Sequence, residues 1–442
     1  MSALATALLL FAAPSGADSP TAAQIVDRYL DVNLEQSLAE YRQLHAHPEL
    51  SLEERETAEQ VAQALESAGF TVTRGVGGTG VVGVLENGEG PVVLIRADMD
   101  ALPIRETTGL AYASQVSAIG PDGRETGVMH ACGHDLHTTQ LISVARLMAR
   151  SRAFWSGTLV VVGQPAEETG QGALAMIEDG LFVRAPRPDY VLALHVESDL
   201  PAGKLGVTPG WAFANVDSID VVFHGRSGHG ARPHRAIDPI VVGSQFVVAL
   251  QTLVSRRIDP VDPAVVTVGT FHAGSRRNQI PDEARLELTV RSFTDPVRTQ
   301  LLEGIRQIAV DTCLTFRCAS PPDVTIREVF TPALYNDPAL TAWAVAIFEA
   351  ALGPQSVVQL PPSMGGDDFA RYAKTLGVPG LLFRVGAQPV DRYEASQKEG
   401  GKPLPSLHAS DFAPDPGPTL STAIRAMSLL ALDLLDPVRE RP

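Results

Sequence analysis

The runs Thr158 to Gly163 and Tyr190 to Leu194 are uninterrupted apolar strands, with no alternate positions left polar to face water. Strands of this kind need cover on both faces, and here they alternate with helical stretches. Apolar residues recur at helical spacing from Ile25 to Leu44 and from Thr57 to Ala68, where Val61, Ala64, Leu65 and Ala68 share a face and Gly69 follows as a stop. Further helices are predicted over Gly133 to Arg150 and Gly172 to Gly180. Val-rich strands over Gly80 to Glu86 and Pro91 to Ala97 flank Asn87-Gly88, which reads as a hairpin turn. The fold class that follows is α/β: a mixed, partly parallel sheet with helices on both faces.

Around residue 212 the pattern changes. Ile219, Val221 and Phe223 alternate with Asp220, Val222 and His224, and Ala284, Leu286, Leu288 and Val290 alternate with Arg285, Glu287, Thr289 and Arg291. Such strands bury one face only. Helices are predicted over Pro239 to Arg256 and Asp295 to Thr312, giving a β-α-β-β-α order and hence a small α+β domain inserted into the larger one. The α/β character returns after about residue 330, with helices near 337–352 and 417–435 and a strand near Leu381 to Val385. The expected division is a leader over 1–17, a main domain over 18–211 and 329–442, and an insertion over 212–328.

Lys plus Arg number 35 against 51 Asp plus Glu, a net charge of −16, so a nucleic-acid partner is a poor expectation. No apolar run reaches the ~20 residues that a membrane-spanning helix needs. Residues 3–13 form an apolar run followed by Pro14, Ser15, Gly16 and Ala17, which reads as a signal peptide cut after Ala17. Export to the periplasm or medium is the expectation, and a cytoplasmic location the alternative if this segment is an extension. Cys313 and Cys318 lie close enough in sequence to be bridged, and two free buried thiols fit equally well.

Gly78, Gly80 and Gly83 fit the spacing of a dinucleotide fingerprint, but a strand continues after them where a helix would have to open, so the match is discarded. The chemistry concentrates instead in His130-Ala131-Cys132-Gly133-His134-Asp135-Leu136-His137, three imidazoles, a thiol and a carboxylate just ahead of a helix. Each residue alone would be ordinary; together they point to metal binding. Asp98 and Asp100, Glu167 and Glu168, and His195 each follow a predicted strand, and ligands of open α/β sheets gather at strand carboxyl ends.

Five segments then carry a resemblance: Leu44-His45-Ala46-His47-Pro48-Glu49-Leu50-Ser51, Arg96 to Ile104, the Cys132 cluster, Gln164-Pro165-Ala166-Glu167-Glu168, and Asn278-Gln279-Ile280-Pro281. In order along the chain they resemble the metal-dependent amidohydrolases that include hippurate hydrolases, auxin-conjugate hydrolases and aminoacylases, of the glutamate carboxypeptidase superfamily. The resemblance implies a catalytic domain holding two divalent metal ions, with zinc expected and manganese, cobalt or nickel compatible, and an inserted lid domain through which subunits form a homodimer. It implies Cys132, His134, Glu168, His195 and His408 as metal ligands, Cys132 bridging. Asp100 would orient those ligands, as would His130 and His137, which are themselves further ligand candidates; the part of Asp98 stays open. Glu167 is implied as general base, and His229, in Gly228-His229-Gly230-Ala231-Arg232-Pro233-His234, as the lid histidine that serves the neighbouring subunit's site. Asn278 and Arg291 are candidate substrate contacts, Arg291 as an exposed strand residue able to pair with a substrate carboxylate.

The implied activity is hydrolysis of the amide bond of N-acyl amino acids or small dipeptides. Two alternatives stay open: a thiol hydrolase with Cys132 as nucleophile, and a non-catalytic metal-containing protein that binds amino-acid conjugates. One departure is visible. In Gly365-Gly366-Asp367-Asp368-Phe369, Asp367 stands where the family usually carries glutamate, one methylene longer.

Overall fold

A computed structural model describes residues 20–120 and 123–438; the expected leader over 1–17 lies outside them. The principal helices are α1 (Ala22–Ala46), α2 (Arg55–Ser67), α3 (His134–Arg150), α4 (Pro239–Arg256), α5 (Asp295–Phe316), α6 (Pro338–Leu352) and α7 (Pro416–Leu434). The strands that organise the fold are β1 (Thr71–Val76), β2 (Gly80–Asn87), β3 (Val92–Asp98), β4 (Gly157–Gln164), β5 (Tyr190–Pro201), β6 (Leu205–Val207), β7 (Asn215–His224), β8 (Ala264–Ala273), β9 (Glu283–Ser292), β10 (Asp323–Ile326), β11 (Val357–Gln359) and β12 (Gly380–Gln388).

Among the described residues an eight-stranded sheet runs in the order β1-β2-β4-β3-β5-β12-β6-β11. Its centre is parallel, β4 with β3, β3 with β5 and β5 with β12. The apolar runs sit there: Leu159, Val160, Val161 and Val162 on β4 and Val191, Leu192 and Ala193 on β5 are sealed from solvent on both faces. Helices α1, α3, α6 and α7 cover one face, and the short helices Gly172–Glu178 and Ala370–Leu376 cover the other. Helix α3 is buried nearly all round, so its first turn, carrying His134 and His137, lies inside the protein.

The hairpin expected at Asn87-Gly88 does not form. Both strands exist and Gly88 turns the chain at φ 86°, but β4 lies between β2 and β3, antiparallel to the first and parallel to the second. Asn87 shows why: its Nδ2 donates to the carbonyls of Arg152 and Trp155, fastening the turn to the segment that enters β4.

The alternating strands form a second, antiparallel sheet, β8-β9-β7-β10. Ile219, Val221, Phe223, Leu286 and Leu288 face α4 and α5 in a core of their own. Helix α4 is long and apolar enough to cross a membrane by length and composition; here Val242, Phe246, Leu250 and Leu253 lie buried against this sheet. Cys313 and Cys318 are joined by a disulfide, with Cα atoms 5.0 Å apart, between the end of α5 and β10.

Candidate metal centre

The site forms where the parallel strands of the large sheet end. Gly133, at φ 80°, turns the chain so that His134 opens α3; a Cβ there would lie 2.6 Å from Val196 Cγ2 and push α3 off β5. Cys132 is buried beneath this turn. Its Sγ lies 3.4 Å from His195 Nε2 and 3.3 Å from His408 Nε2. Cys132 thereby belongs to two groups of donor atoms, each within 4.8 Å of one another: Cys132, His134 and His195, and Cys132, Glu168 and His408.

The hydrogen bonds around these donors settle which atoms face the space between them. His134 Nδ1 donates to the Asp100 carbonyl at 2.8 Å, and His195 Nδ1 to the Val196 carbonyl at 2.7 Å, so both rings present Nε2. His134 Nε2 and Glu168 Oε1 are buried with no hydrogen-bond partner. A buried polar atom without a partner costs about 1–3 kcal/mol, and two of them aimed into one space mark it as a place for cations. The Cys132 thiol is pushed well up by burial and then by Glu168, so a thiolate there requires added positive charge. Sulfur, imidazole and carboxylate donors together fit a pair of divalent ions.

Several expected supporting residues are placed clearly. His137 uses both ring nitrogens, Nδ1 toward Asp98 Oδ1 at 2.6 Å and Nε2 accepting from Val196 N at 2.8 Å. It therefore holds β5 at His195 and has no nitrogen left for a metal. Asp98, whose part was open, ties this chain to Arg96 Nη1 at 2.6 Å, and Arg96, His134 and His137 overcome burial to hold its carboxyl well below the ordinary range. Asp100 Oδ2 accepts from Ser51 Oγ at 2.6 Å and from Glu168 N at 3.0 Å while its carbonyl accepts from His134, so it positions two candidate ligands at once. His130 joins none of the donor groups among the described residues; both its nitrogens are buried without a partner, and burial lowers its pKa to about 4.

Glu167 lies beside these donors, with Oε2 3.9 Å from His134 Nε2. Burial, then Asp367 and Glu168, push its carboxyl well above the ordinary range. Asp367 is buried, 3.3 Å from Arg96 Nη2, and its carboxylate with those of Asp368 and Glu167 forms a further cluster. The shorter aspartate thus sits within the surroundings of the candidate base.

Glu54 has no counterpart in the sequence reading. Its buried carboxylate accepts from Ala166 N at 2.9 Å and from Thr79 Oγ1 at 2.5 Å. Ala166 has φ 51°, a conformation that costs a non-glycine residue about 1–3 kcal/mol, and Glu54 holds it, so that Glu167 and Glu168 leave β4 in the required direction. From sequence, Glu54 looks like any acidic residue opening a helix; its nearness to Ser51 in the first of the five segments is the signal that could have found it.

The residues expected to serve as substrate and lid contacts lie elsewhere. His229 pairs with Gln279 across a short ribbon, Gly230 N donates to the Asn278 carbonyl at 2.9 Å, and both His229 and Asn278 are exposed. His229 Nδ1 accepts from Ala231 N at 3.1 Å, which leaves Nε2 as the protonated, outward-facing donor. The structure therefore brings His229 and Asn278 to each other, and no donor group among the described residues includes His229. Arg291 is half-buried rather than exposed: Nε donates to Thr289 Oγ1 at 3.1 Å and Nη1 to the Met364 carbonyl at 3.5 Å, beside the loop that leads to Asp367.

Comparison with known proteins fits this geometry. A model of peptidase family M20/M25/M40 matches residues 94–399. Thermostable carboxypeptidase 2 of Saccharolobus solfataricus is 35% identical over 395 residues, 88% of this chain and 93% of that protein. N-acetyl-L-cysteine deacetylase of Bacillus subtilis is 38% identical over 347 residues, 78% of this chain and 79% of that protein. The crystal structure of a dinuclear metal binding peptidase from Bacillus subtilis matches with a TM-score of 0.73 and 31% identity, over 92% of this chain and 100% of that one.

Proposed function

The chain belongs to peptidase family M20/M25/M40 and is a metal-dependent hydrolase, and on that premise we propose that it cleaves the amide bond of N-acyl amino acids or small dipeptides. The observation that carries the proposal is the sharing of Cys132 between two donor groups, with the carboxylate of Glu167 beside them and outside the proposed ligand set. Cys132, His134, Glu168, His195 and His408 would hold two divalent ions, which when bound supply Lewis acidity toward water and the amide carbonyl.

The chain's own residues do the rest. Glu167 takes the proton of the attacking water and delivers it to the departing amine, and its raised proton affinity suits both halves of that task. His229 Nε2–H is a donor free to meet the negative charge that develops on the carbonyl oxygen. Asn278, its neighbour on the ribbon, would contact the same end of the substrate, and the half-buried guanidinium of Arg291 suits a substrate carboxylate. Because His229 lies on a separate ribbon and joins none of the donor groups among the described residues, its service to a neighbouring subunit's site requires a homodimer. Strand β8 pairs with β9 on one side only, and its outer edge, unpaired among the described residues, is available for such pairing. The Cys313–Cys318 disulfide supports a location in an oxidising compartment.

Relatives named for carboxypeptidase and for N-acetylcysteine deacetylase activity support amide substrates with a small amino-acid portion. The deciding experiment is hydrolysis of N-acetyl, N-benzoyl and indoleacetyl amino acids and of dipeptides, before and after chelation, with zinc, manganese and cobalt restored singly. Activity lost to the chelator and recovered with one metal is expected. Cleavage indifferent to chelation would instead make Cys132 a nucleophile, a role that its burial and its neighbour Glu168 oppose.

A further inference from the structure

The segment Leu44 to Ser51 ends α1 and sends three side chains inward. Ser51 holds Asp100, and Glu49 accepts hydrogen bonds from the backbone N–H groups of Arg55, Glu56 and Thr57, capping α2. His45 is buried, and neither of those tasks involves it. Its Nδ1 lies 2.7 Å from Asp135 Oδ2 and its Nε2 3.1 Å from Glu106 Oε1. Two carboxylates facing the two ring nitrogens require a proton on both, so the ring is an imidazolium walled by Tyr41 and Tyr112, whose ring centres lie 5.7 and 5.2 Å away.

Each carboxylate leads to a candidate metal ligand by a different route. Asp135 follows His134 directly. Glu106 precedes Thr107, whose N–H donates to the Ser410 carbonyl at 2.7 Å and whose Oγ1 lies 2.9 Å from Ser410 Oγ, two residues after His408. His408 is the least enclosed of the proposed ligands, its side chain about half exposed, and its backbone has φ 65°. Its loop touches the Cys132 loop directly through His408 N donating to the Ala131 carbonyl at 2.9 Å.

We propose that His45 is a positioning residue that clamps the loop bearing Cys132 and His134 to the loop bearing His408, and so sets how firmly the metal on the His408 side is held. The proposal rests on the two-metal reading above. Without His45, Asp135 and Glu106 keep buried charge with nothing between them, and the two loops lose the side chain that links them. Partners of this kind, one step behind the ligands, change metal affinity by roughly 10- to 100-fold when removed.

The test is competition between the apo-enzyme and a chromophoric chelator for zinc, with kcat and KM measured on the same samples. Wild-type protein is expected to bind two equivalents. His45→Gln is expected to bind one of them about tenfold or more weakly, with a fall in kcat and little change in KM. Ser37→Ala is the control: it removes another buried α1–α3 hydrogen bond, Ser37 Oγ to Ser143 Oγ at 2.8 Å, eight residues before His45. It should leave both constants at their wild-type values. If His45→Gln does not fold, Glu106→Gln, on the loop side of the clamp, should weaken the same equivalent. Folded variants that keep both wild-type constants overturn the proposal, as does a Ser37→Ala loss equal to that of His45→Gln. Wild-type protein that binds no zinc would overturn the two-metal reading and this inference with it.

Discussion

The large sheet and the small ribbon that carries His229 place their functional groups in opposite ways. At the strand ends of the large sheet, Arg96, Asp98, Asp100, His134, His137 and Asp368 are all but sealed from solvent, and each is fixed by hydrogen bonds to other buried groups. On a two-stranded ribbon separate from the second sheet His229 stands exposed, with Asn278 exposed at the ribbon's edge, both held through backbone contacts. The first arrangement spends folding energy to fix donor atoms before any ligand arrives. The second leaves a donor oriented but uncommitted, so its distance from the reacting atom is set by whatever the ribbon meets.

The largest expected effect comes from breaking the buried region at its shared atom. Cys132→Ala should abolish hydrolysis and leave the purified protein with little bound metal, because both donor groups lose a member. Metal content after dialysis, measured beside turnover, checks this; a variant that kept two ions would remove Cys132 from the ligand set. Glu167→Gln should come next. Turnover should fall by roughly 10²- to 10⁴-fold with metal content unchanged, as for loss of a general base. Metal lost along with activity would reassign Glu167 as a ligand.

Legibility from sequence follows the same division. The layers, the inserted sheet and most helices can be read because periodicity reports burial locally; Ile219, Val221 and Phe223 all face the second core as their spacing requires. The partner of β2 cannot be read that way. Asn87-Gly88 describes a turn, but β4, some seventy residues on, takes the neighbouring place, and only long-range pairing decides that. In the site, Cys132, His134, Glu168 and His195 stand out by chemistry and by their places after strands, His408 is found only through the family resemblance, and all five fall in donor groups that share members. Glu54, Ser51 and His45 do not stand out, because a buried carboxylate, hydroxyl or imidazole that holds a loop has the same letter as a solvated one. Arg291 carries the reverse lesson: alternation marks it as exposed, yet contact with the Met364 loop half-buries it.

The exposed region is sharpened by His229→Ala, expected to lower kcat about 10²-fold, the usual loss on removing one donor to a developing oxyanion, while metal content and stability stay at wild-type levels. Mixing this variant with Glu167→Gln, each nearly inactive alone, should restore activity once subunits exchange, since one site then regains both groups. An exchanged mixture that stays inactive would mean that His229 does not serve a neighbouring subunit.

A smaller effect separates the two regions by pH. Asp135 and Glu106 outweigh burial and raise the His45 pKa from 6.5 to about 10. A raised value means that the folded state holds the proton more tightly than the unfolded chain. The stabilisation is therefore complete below pH 6.5 and is lost as pH rises toward about 10. The charged groups around the ring are Asp135 and Glu106, with His130 and the tyrosines Tyr41 and Tyr112 near them. Urea unfolding of wild type and of His45→Gln should show the wild-type advantage at about pH 6 shrinking by about pH 9.5. A constant advantage would mean that His45 contributes through packing alone.

The smallest effect belongs to the second sheet. The Cys313–Cys318 bridge closes a short loop, and chain entropy assigns a loop of about five residues roughly 2 kcal/mol. The bridge joins the last turn of α5 to the segment that enters β10, and both pack on the core of Ile219, Val221 and Phe223 rather than on α3. Cys313→Ser combined with Cys318→Ser should therefore speed hydrogen exchange in β10 and the end of α5. Exchange in α3, and kcat on small N-acyl amino acids, should stay as they are. Faster exchange reaching α3 would show that the two cores open as one cooperative unit. The exposed ribbon of His229 would then share the stability of the buried candidate ligands, and the contrast between the buried site and the ribbon would hold for their surfaces only.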